Sequence, residues 1–439
     1  MAGIDYDALV VGAGAAGLAA TAALERAGLS VLVVEARDRI GGRAWTHHER
    51  GLRVPIELGA EFIHGRPAET LSLLRKTGTS ADKAPRTRCD LRGGEVMDWA
   101  AAFAEIRKFV RAIRLSAAHD VSFATLLERN RHRLSADAVA FARMRVQSYD
   151  AADPARVSAR DIVEEWRSES TAPDTNFRPH GGYGALLAAL ARGLDKQKVR
   201  VRLNAVARTV RWSRGAVEVE GDCAGRTWRA TATRAIITLP LGVLQLPRHA
   251  QGAVNFSPAL TEKQPALKEL VSGPVVKVAL KFRSAFWETL KQGRYRDVAF
   301  FHAPGAMFPT FWTALPARAP LLIAWAGGPN ATRLAGAGKR DIVRHAVKTL
   351  TAVFGRSAGV GAKLEGALLH DWQRDPYARG AYSHVLVGGG TARAALAQPL
   401  QETLYFAGEA TNIDGEAGTV AGALQSGTRA ARELMAQFT

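Results

Sequence analysis

Three glycines and one carboxylate carry the first chemistry legible in this chain: Gly12, Gly14 and Gly17, followed by Glu35. In the spacing GxGxxG, the first glycine turns the chain and the second lets backbone approach a pyrophosphate. The third lets a helix pack closely on the preceding strand. Glu35 falls close to the interval of about 20 residues at which a carboxylate reaches the hydroxyls of an adenosine ribose. Such residues need particular elements to place them. The apolar run Ala8–Val11 reads as a buried parallel strand, Leu18–Ala27 as an alanine-rich helix, and Val31–Val34 as a second strand ending at Glu35. The helix would aim its unpaired amides and positive dipole end at the phosphates. This order predicts a nucleotide-binding βαβ unit and leaves NAD and FAD both open.

Four further segments hold polar or aromatic groups in suggestive places. The run EARDRIGGRAWT, with Arg37, Gly41, Gly42 and Arg43, extends the site beyond what a simple NAD unit needs. ELGAEFIHG sets Glu61 and His64 behind an apolar strand. VVKVAL places Lys277 within a strand, where alternation allows it to face inward or outward. DWQRDPYARGAYS carries Trp372 and Tyr382. At the far end, Thr403–Ala407 reads as a strand, followed by Gly408, Glu409 and a helix from about Thr419 to Gln437. FAD is longer than one βαβ unit can hold, so the two ends of the chain are expected to build one site.

These motifs resemble the flavin-containing amine oxidase family, which includes monoamine oxidases, polyamine oxidases and flavin histone demethylases. The resemblance covers nearly the whole chain and is strongest at its ends, around 275–282 and around 371–384. It implies an α/β fold: an FAD-binding Rossmann-like domain of the glutathione-reductase/p-hydroxybenzoate-hydroxylase type, with a discontinuous α+β substrate domain. The FAD domain would comprise 1–76, 179–245 and 395–439, and the substrate domain 77–178 and 246–394. In this family the segment at Gly42 and Arg43 passes along the pyrophosphate and flavin. Val206 would meet adenine through its backbone, and Glu409 the ribityl and phosphate region. The helix beginning at Thr419 and Val420 would point its N-terminus at the flavin edge where negative charge collects on reduction.

The same resemblance assigns the chemistry. Lys277 matches a lysine that holds a water against flavin N5, Trp372 and Tyr382 approach the ring, and Tyr382 forms one wall of an aromatic cage for the amine. The opposite wall, a tyrosine in monoamine oxidases, aligns with Thr419. Ala381 stands where mitochondrial monoamine oxidases carry the cysteine that bonds the flavin, so noncovalent FAD is expected. His64 and Glu61 would line the substrate site. The implied reaction passes a hydride equivalent from the carbon beside an amine nitrogen to the flavin, with O2 as final acceptor and a polyamine-like or aliphatic amine slightly favoured. Rival readings are an L-amino acid oxidase, a flavin-dependent desaturase or isomerase, and a non-enzymatic flavin-binding chromatin or nucleic-acid-associated factor. Phe62 counts against the first, because L-amino acid oxidases place a carboxylate-binding arginine there.

Composition sets the outer limits. The chain has 439 residues, 47% hydrophobic and 23% charged, as in globular proteins. No run reaches the about 18 apolar residues of a membrane span, and the start MAGIDYD has no leader pattern. Cys89 and Cys223 lie far apart without metal-ligand spacing, which suggests reduced thiols in a cytoplasmic protein and leaves a single disulfide open. No metal and no membrane partner are expected. The net charge of +18 could attract nucleic acid and would weakly repel a polyamine, but the basic residues are scattered and no nucleic-acid partner is expected. Segment Ala101–Ser116 reads as a helix with Phe103, Ile106, Val110 and Ile113 inward and Arg107, Lys108, Arg111 and Arg114 on a solvated face.

Overall fold

The computed structural model describes residues 4–85, 87–92, 95–97, 99–115, 119–167 and 175–438. The valine-rich runs near the N-terminus are strands because β-branched side chains suit a sheet buried on both faces. Tyr6–Val11 pairs in parallel with Val31–Val34 on one side and with Arg226–Ile237 on the other. Val199–Arg202 extends the sheet beyond Val31–Val34, and Leu404–Phe406 pairs in parallel with Ala235–Ile237. The far C-terminal strand therefore enters the sheet begun by the first residues.

Strand Arg226–Ile237 has three neighbours. Its last residues join the parallel sheet, while Arg226–Ala232 pairs antiparallel with Ala216–Cys223, which in turn pairs with Val206–Ser213. Asn255–Ser257 closes that edge through Val206–Ser213. This corrects the division read from the sequence, which put 246–394 wholly in the second domain. Three residues are enough to complete a sheet edge, yet too few to carry a periodic signal.

Helix Ala15–Arg26 packs against the sheet and against helix Val420–Met435. Their contact is close because Gly427 lies on Ala16: a Cβ at Gly427 would stand 2.1 Å from the Ala16 carbonyl oxygen. The amino-terminal βαβ unit and the carboxy-terminal helix are thus one packed layer.

A second, seven-stranded sheet carries the remaining chemistry. Val275–Phe282 sits between Leu364–Leu369 and Leu321–Gly327, followed by Thr310–Thr313, Phe300–His302, Arg88–Arg92 and Glu95–Met97. Its outer face is sealed by helix Lys339–Phe354 over Val278, Leu280, Phe282 and Phe311. The segment 77–178 is mostly helical but opens with three short strands, Ala81–Ala84, Arg88–Arg92 and Glu95–Met97, before its helices begin. Those strands find their partners far away in sequence, on Asn176–Pro179 and Phe300–His302.

Helix Trp99–Ala112 buries Ala102, Ile106, Phe109 and Val110, with Ile113 buried just past its end; Lys108, Arg111 and Arg114 are exposed, and Phe103 and Arg107 are half-buried. The helix ends at Ala112, short of the Ser116 expected from its periodicity; Ser116 itself lies outside the described residues. Cys89 and Cys223 are free thiols on strands of different sheets. Among the described residues no helix is long and apolar enough to cross a membrane.

Candidate active site

A cavity of ≈ 450 Å³ runs between the two sheets and the helical lobe. At one end it is lined by Gly12, Gly14, Glu35, Gly42 and Val206, and at the other by Lys277, Trp372, Tyr382 and Thr419. The structure therefore gathers residues separated by hundreds of positions. Gly17 does not line it but makes it possible: a Cβ there would lie 1.9 Å from the Gly12 carbonyl oxygen, so only glycine permits this strand–helix contact. Gly12 itself has φ +111°, a conformation that L side chains rarely adopt.

The nucleotide end fits FAD. Helix Ala15–Arg26 has no side-chain cap and no acid in its first turn, so its N-terminal amides face the cavity without a built-in anion. A Cβ at Gly14 would meet nothing within 4 Å, which leaves backbone open to close approach. Glu35, buried beside it, accepts Ala13 N–H at 2.8 Å and Arg37 N–H at 2.9 Å, fixing its carboxylate at the cavity edge. Arg37 has a second task. Its guanidinium donates to Asp375 at 2.7 Å, tying the first βαβ unit to the segment that bears Trp372 and Tyr382.

At the centre, Arg43 donates to Glu409 at 2.9 Å and to the Ala381 carbonyl. Glu409 also accepts from the Ser383 hydroxyl at 2.6 Å. Burial would raise the Glu409 carboxyl, but Arg43, Ser383 and Arg393 outweigh it and hold the group below the usual carboxylate range. Gly408 adopts φ +132°, and a Cβ there would meet nothing within 4 Å, so this is another open stretch of backbone.

Lys277 faces inward. It is 4% exposed, and its Nζ donates to the Gly59 carbonyl at 3.0 Å and to Glu61 Oε2 at 2.8 Å. Glu61 Oε1 in turn accepts from Arg178 Nε at 3.0 Å and Trp312 Nε1 at 2.9 Å. Burial would raise the Glu61 carboxyl, yet Lys277 and Arg178 bring it below its ordinary value. Glu61 was expected to line the substrate site. Its oxygens accept from Lys277, Arg178 and Trp312 while the residue lines the cavity, so it holds Lys277 in place. An ammonium has three donors, and these two bonds leave one for a water or substrate.

Trp372 is buried, with Nε1 donating to the Leu58 carbonyl at 2.9 Å. Tyr382 donates its hydroxyl to the Tyr149 carbonyl, and its ring lies against Gly418, where a Cβ would stand 3.4 Å from Cδ2. Thr419 is not free to form an opposing wall through its hydroxyl. That group caps helix Val420–Met435, accepting Gly422 N–H at 2.9 Å and donating to Glu416 O at 2.7 Å. Capping leaves the helix N-terminus at Val420 directed toward the cavity.

His64 Nδ1 is 3.0 Å from Asn176 Oδ1, so this nitrogen carries the proton and Nε2 remains an acceptor. Burial lowers its pKa, which keeps the ring neutral. Its ring meets Tyr149 edge-on at 5.4 Å. Tyr149 is one of several groups that motif reasoning missed, along with Arg145, Ser148, Asp150, Glu165, Trp312 and Trp325. They come from helix ends and strands of the second domain, where local sequence gives only a polar residue at the close of an apolar run. Phe62 packs against Phe300 and Trp312 under the guanidinium of Arg178, 4.4 Å from its ring.

Lysine-specific histone demethylase 2 of Homo sapiens is 27% identical over 98% of this chain, which spans 53% of that relative. The chain thus covers about half the length of that curated protein. Polyamine oxidase 4 of Oryza sativa subsp. japonica is 29% identical over 97% of this chain and 88% of its own length. A putrescine oxidase solved with putrescine bound shares the fold, with a TM-score of 0.82 at 23% identity over 98% of this chain and 99% of that one. Residues 15–435 match the model of the flavin containing amine oxidoreductases. With nearly the whole chain matched and an FAD-shaped cradle between its two ends, this protein belongs to the flavin-containing amine oxidoreductase family, a class of enzymes that uses FAD.

Proposed function

We propose that this chain oxidises a small aliphatic amine of polyamine-like character, with noncovalent FAD as cofactor and O2 as acceptor. The observation that carries the reading is the buried Lys277, held by Gly59 and Glu61 in the same cavity wall as Tyr382 and the N-terminus of helix Val420–Met435. Bound FAD would accept a hydride equivalent from the carbon beside the amine nitrogen and pass two electrons to O2, giving an imine that water hydrolyses and H2O2.

The chain's own groups serve that reaction in distinct ways. The remaining N–H of Lys277 holds a water or proton at the reacting end. Tyr382 presents a ring face that favours a nitrogen gaining positive character. His64 Nε2 accepts from the amine. Phe62, Phe300, Trp312 and Trp325 line the cavity and exclude water, which strengthens every polar contact inside it. The helix N-terminus at Val420 stabilises negative charge developing nearby.

An L-amino acid substrate would need a cation for its carboxylate. Phe62 offers none, and Arg145 is stacked 4.5 Å from the Trp166 ring beside two carboxylates. The amine oxidase reading is supported further by the polyamine and putrescine oxidases among the similar proteins.

A peroxide-coupled screen of the purified yellow protein against aliphatic amines, polyamines and amino acids tests the proposal. Turnover of an aliphatic amine is expected. Flavin reduced only by a substrate without an amine would overturn it. Because Ala381 has no thiol to bond a flavin, acid precipitation should release free FAD into the supernatant; yellow colour retained in the washed pellet would contradict noncovalent binding.

A further inference from the structure

The helical lobe adds a polar patch to the cavity wall that the reaction above does not use. Helix Ala136–Ser148 ends there, bringing Arg145, Ser148, Tyr149 and Asp150 to the cavity with Glu165 of helix Ala159–Arg167. Ser148 and Asp150 are each 6% exposed; the Ser148 hydroxyl has no hydrogen-bond partner, and the Asp150 carboxylate oxygens have none at full bonding distance, only the approach of the Glu165 carboxyl and the Trp166 ring N–H. Buried polar atoms are rarely left so. These three acceptors match the three donors of an ammonium group.

The charges around the patch point the same way. Arg145, stacked on Tyr149 and Trp166, faces both Asp150 and Glu165 and can balance only one of them. Arg393, which also reaches Glu165, is paired with Asp161 at 3.9 Å. Glu409, which also acts on Tyr382, is paired with Arg43 at 2.9 Å. The pair therefore carries one carboxylate in excess. The patch is also close to the reacting wall, because the Tyr382 hydroxyl bonds the carbonyl of Tyr149, the residue preceding Asp150.

Resting on the amine oxidase reading, we propose that Asp150 and Ser148, backed by Glu165, bind the second ammonium of the substrate, so that the cavity selects α,ω-diamines over monoamines of equal length. Burial, with Asp161 nearby, raises the Glu165 carboxyl to about 7, and burial beside Glu165 pushes Asp150 up as well. Without a cation the pair thus keeps a proton near neutrality, and the incoming ammonium displaces it. Dication affinity should rise as pH increases toward about 7 and level off above it.

The test compares 1,4-diaminobutane with butylamine by the ratio of kcat/KM, in the native protein and in Asp150→Asn. The ratio is expected to fall about tenfold or more, the size of a lost charge-assisted hydrogen bond. An unchanged ratio overturns the proposal. Calorimetric binding of 1,4-diguanidinobutane against butylguanidine, both inert to oxidation, separates this site from the reaction. Tighter binding of the dication that disappears in Asp150→Asn supports the site even where no amine is turned over, a result that would sink only the oxidase reading. Equal binding of the two probes by the native protein sinks the site. Should Asp150→Asn fail to fold, Ser148→Ala and Glu165→Gln carry the same comparison with the same deciding outcomes.

Discussion

Changing Lys277 to methionine is expected to slow flavin reduction or reoxidation by about 100-fold, the lower end of what a positioned proton-transfer group contributes, while FAD stays bound. Methionine has similar reach and no donor, so the water or proton held at Nζ is lost. The fold should tolerate the change. Glu61 keeps Arg178 and Trp312 as donors after Nζ is gone, and the nucleotide cradle lies at the other end of the cavity. Rapid mixing of the reduced variant with O2, and anaerobic mixing of the oxidised variant with amine, assign the loss to one half-reaction. Native rates in both would place Lys277 outside the chemistry.

The second large effect concerns the cradle. Gly17→Ala would drive a Cβ to 1.9 Å from the Gly12 carbonyl oxygen. That oxygen belongs to backbone, so relief requires moving the strand–helix turn itself. Overpacking of this kind costs about 1–3 kcal/mol, and spent on the phosphate-binding turn it weakens FAD by about tenfold to 100-fold. The flavin-to-protein ratio after gel filtration should fall, and added FAD should restore it in part. Gly28→Ala is a useful comparison, since Gly28 has positive φ but an open surrounding. A full flavin complement in Gly17→Ala would show that the turn can shift without harm to the site.

Much of the site was legible because its parts are local. The glycines, the strand and the helix that follow them are fixed by backbone requirements within a few residues, so Gly12, Gly14, Gly17 and Glu35 lie together as their spacing implies. The strand bearing Lys277 was also readable from its apolar run, although the direction of the lysine was not. A single charge in an alternating strand fits either face, and burial was decided by Gly59 and Glu61 arriving from another part of the chain.

Glu61 and Thr419 show where local reading stops. Both line the cavity as their positions suggested, but local sequence did not show the protein partners each also holds: Glu61 bonds Lys277, Arg178 and Trp312, and Thr419 the turn it caps. Side-chain partners depend on which distant groups share a cavity, and no spacing rule records that. The same holds for Asp150 and Glu165, ordinary acids at helix positions until two helices bring them to one wall.

The sequence by itself determined that the two ends of this chain build a dinucleotide site, because glycine stereochemistry and strand–helix order act over short stretches of backbone. Only the tertiary structure decided which charges in the cavity are neutralised and which remain to meet a ligand, because that depends on burial and on partners brought together from distant segments.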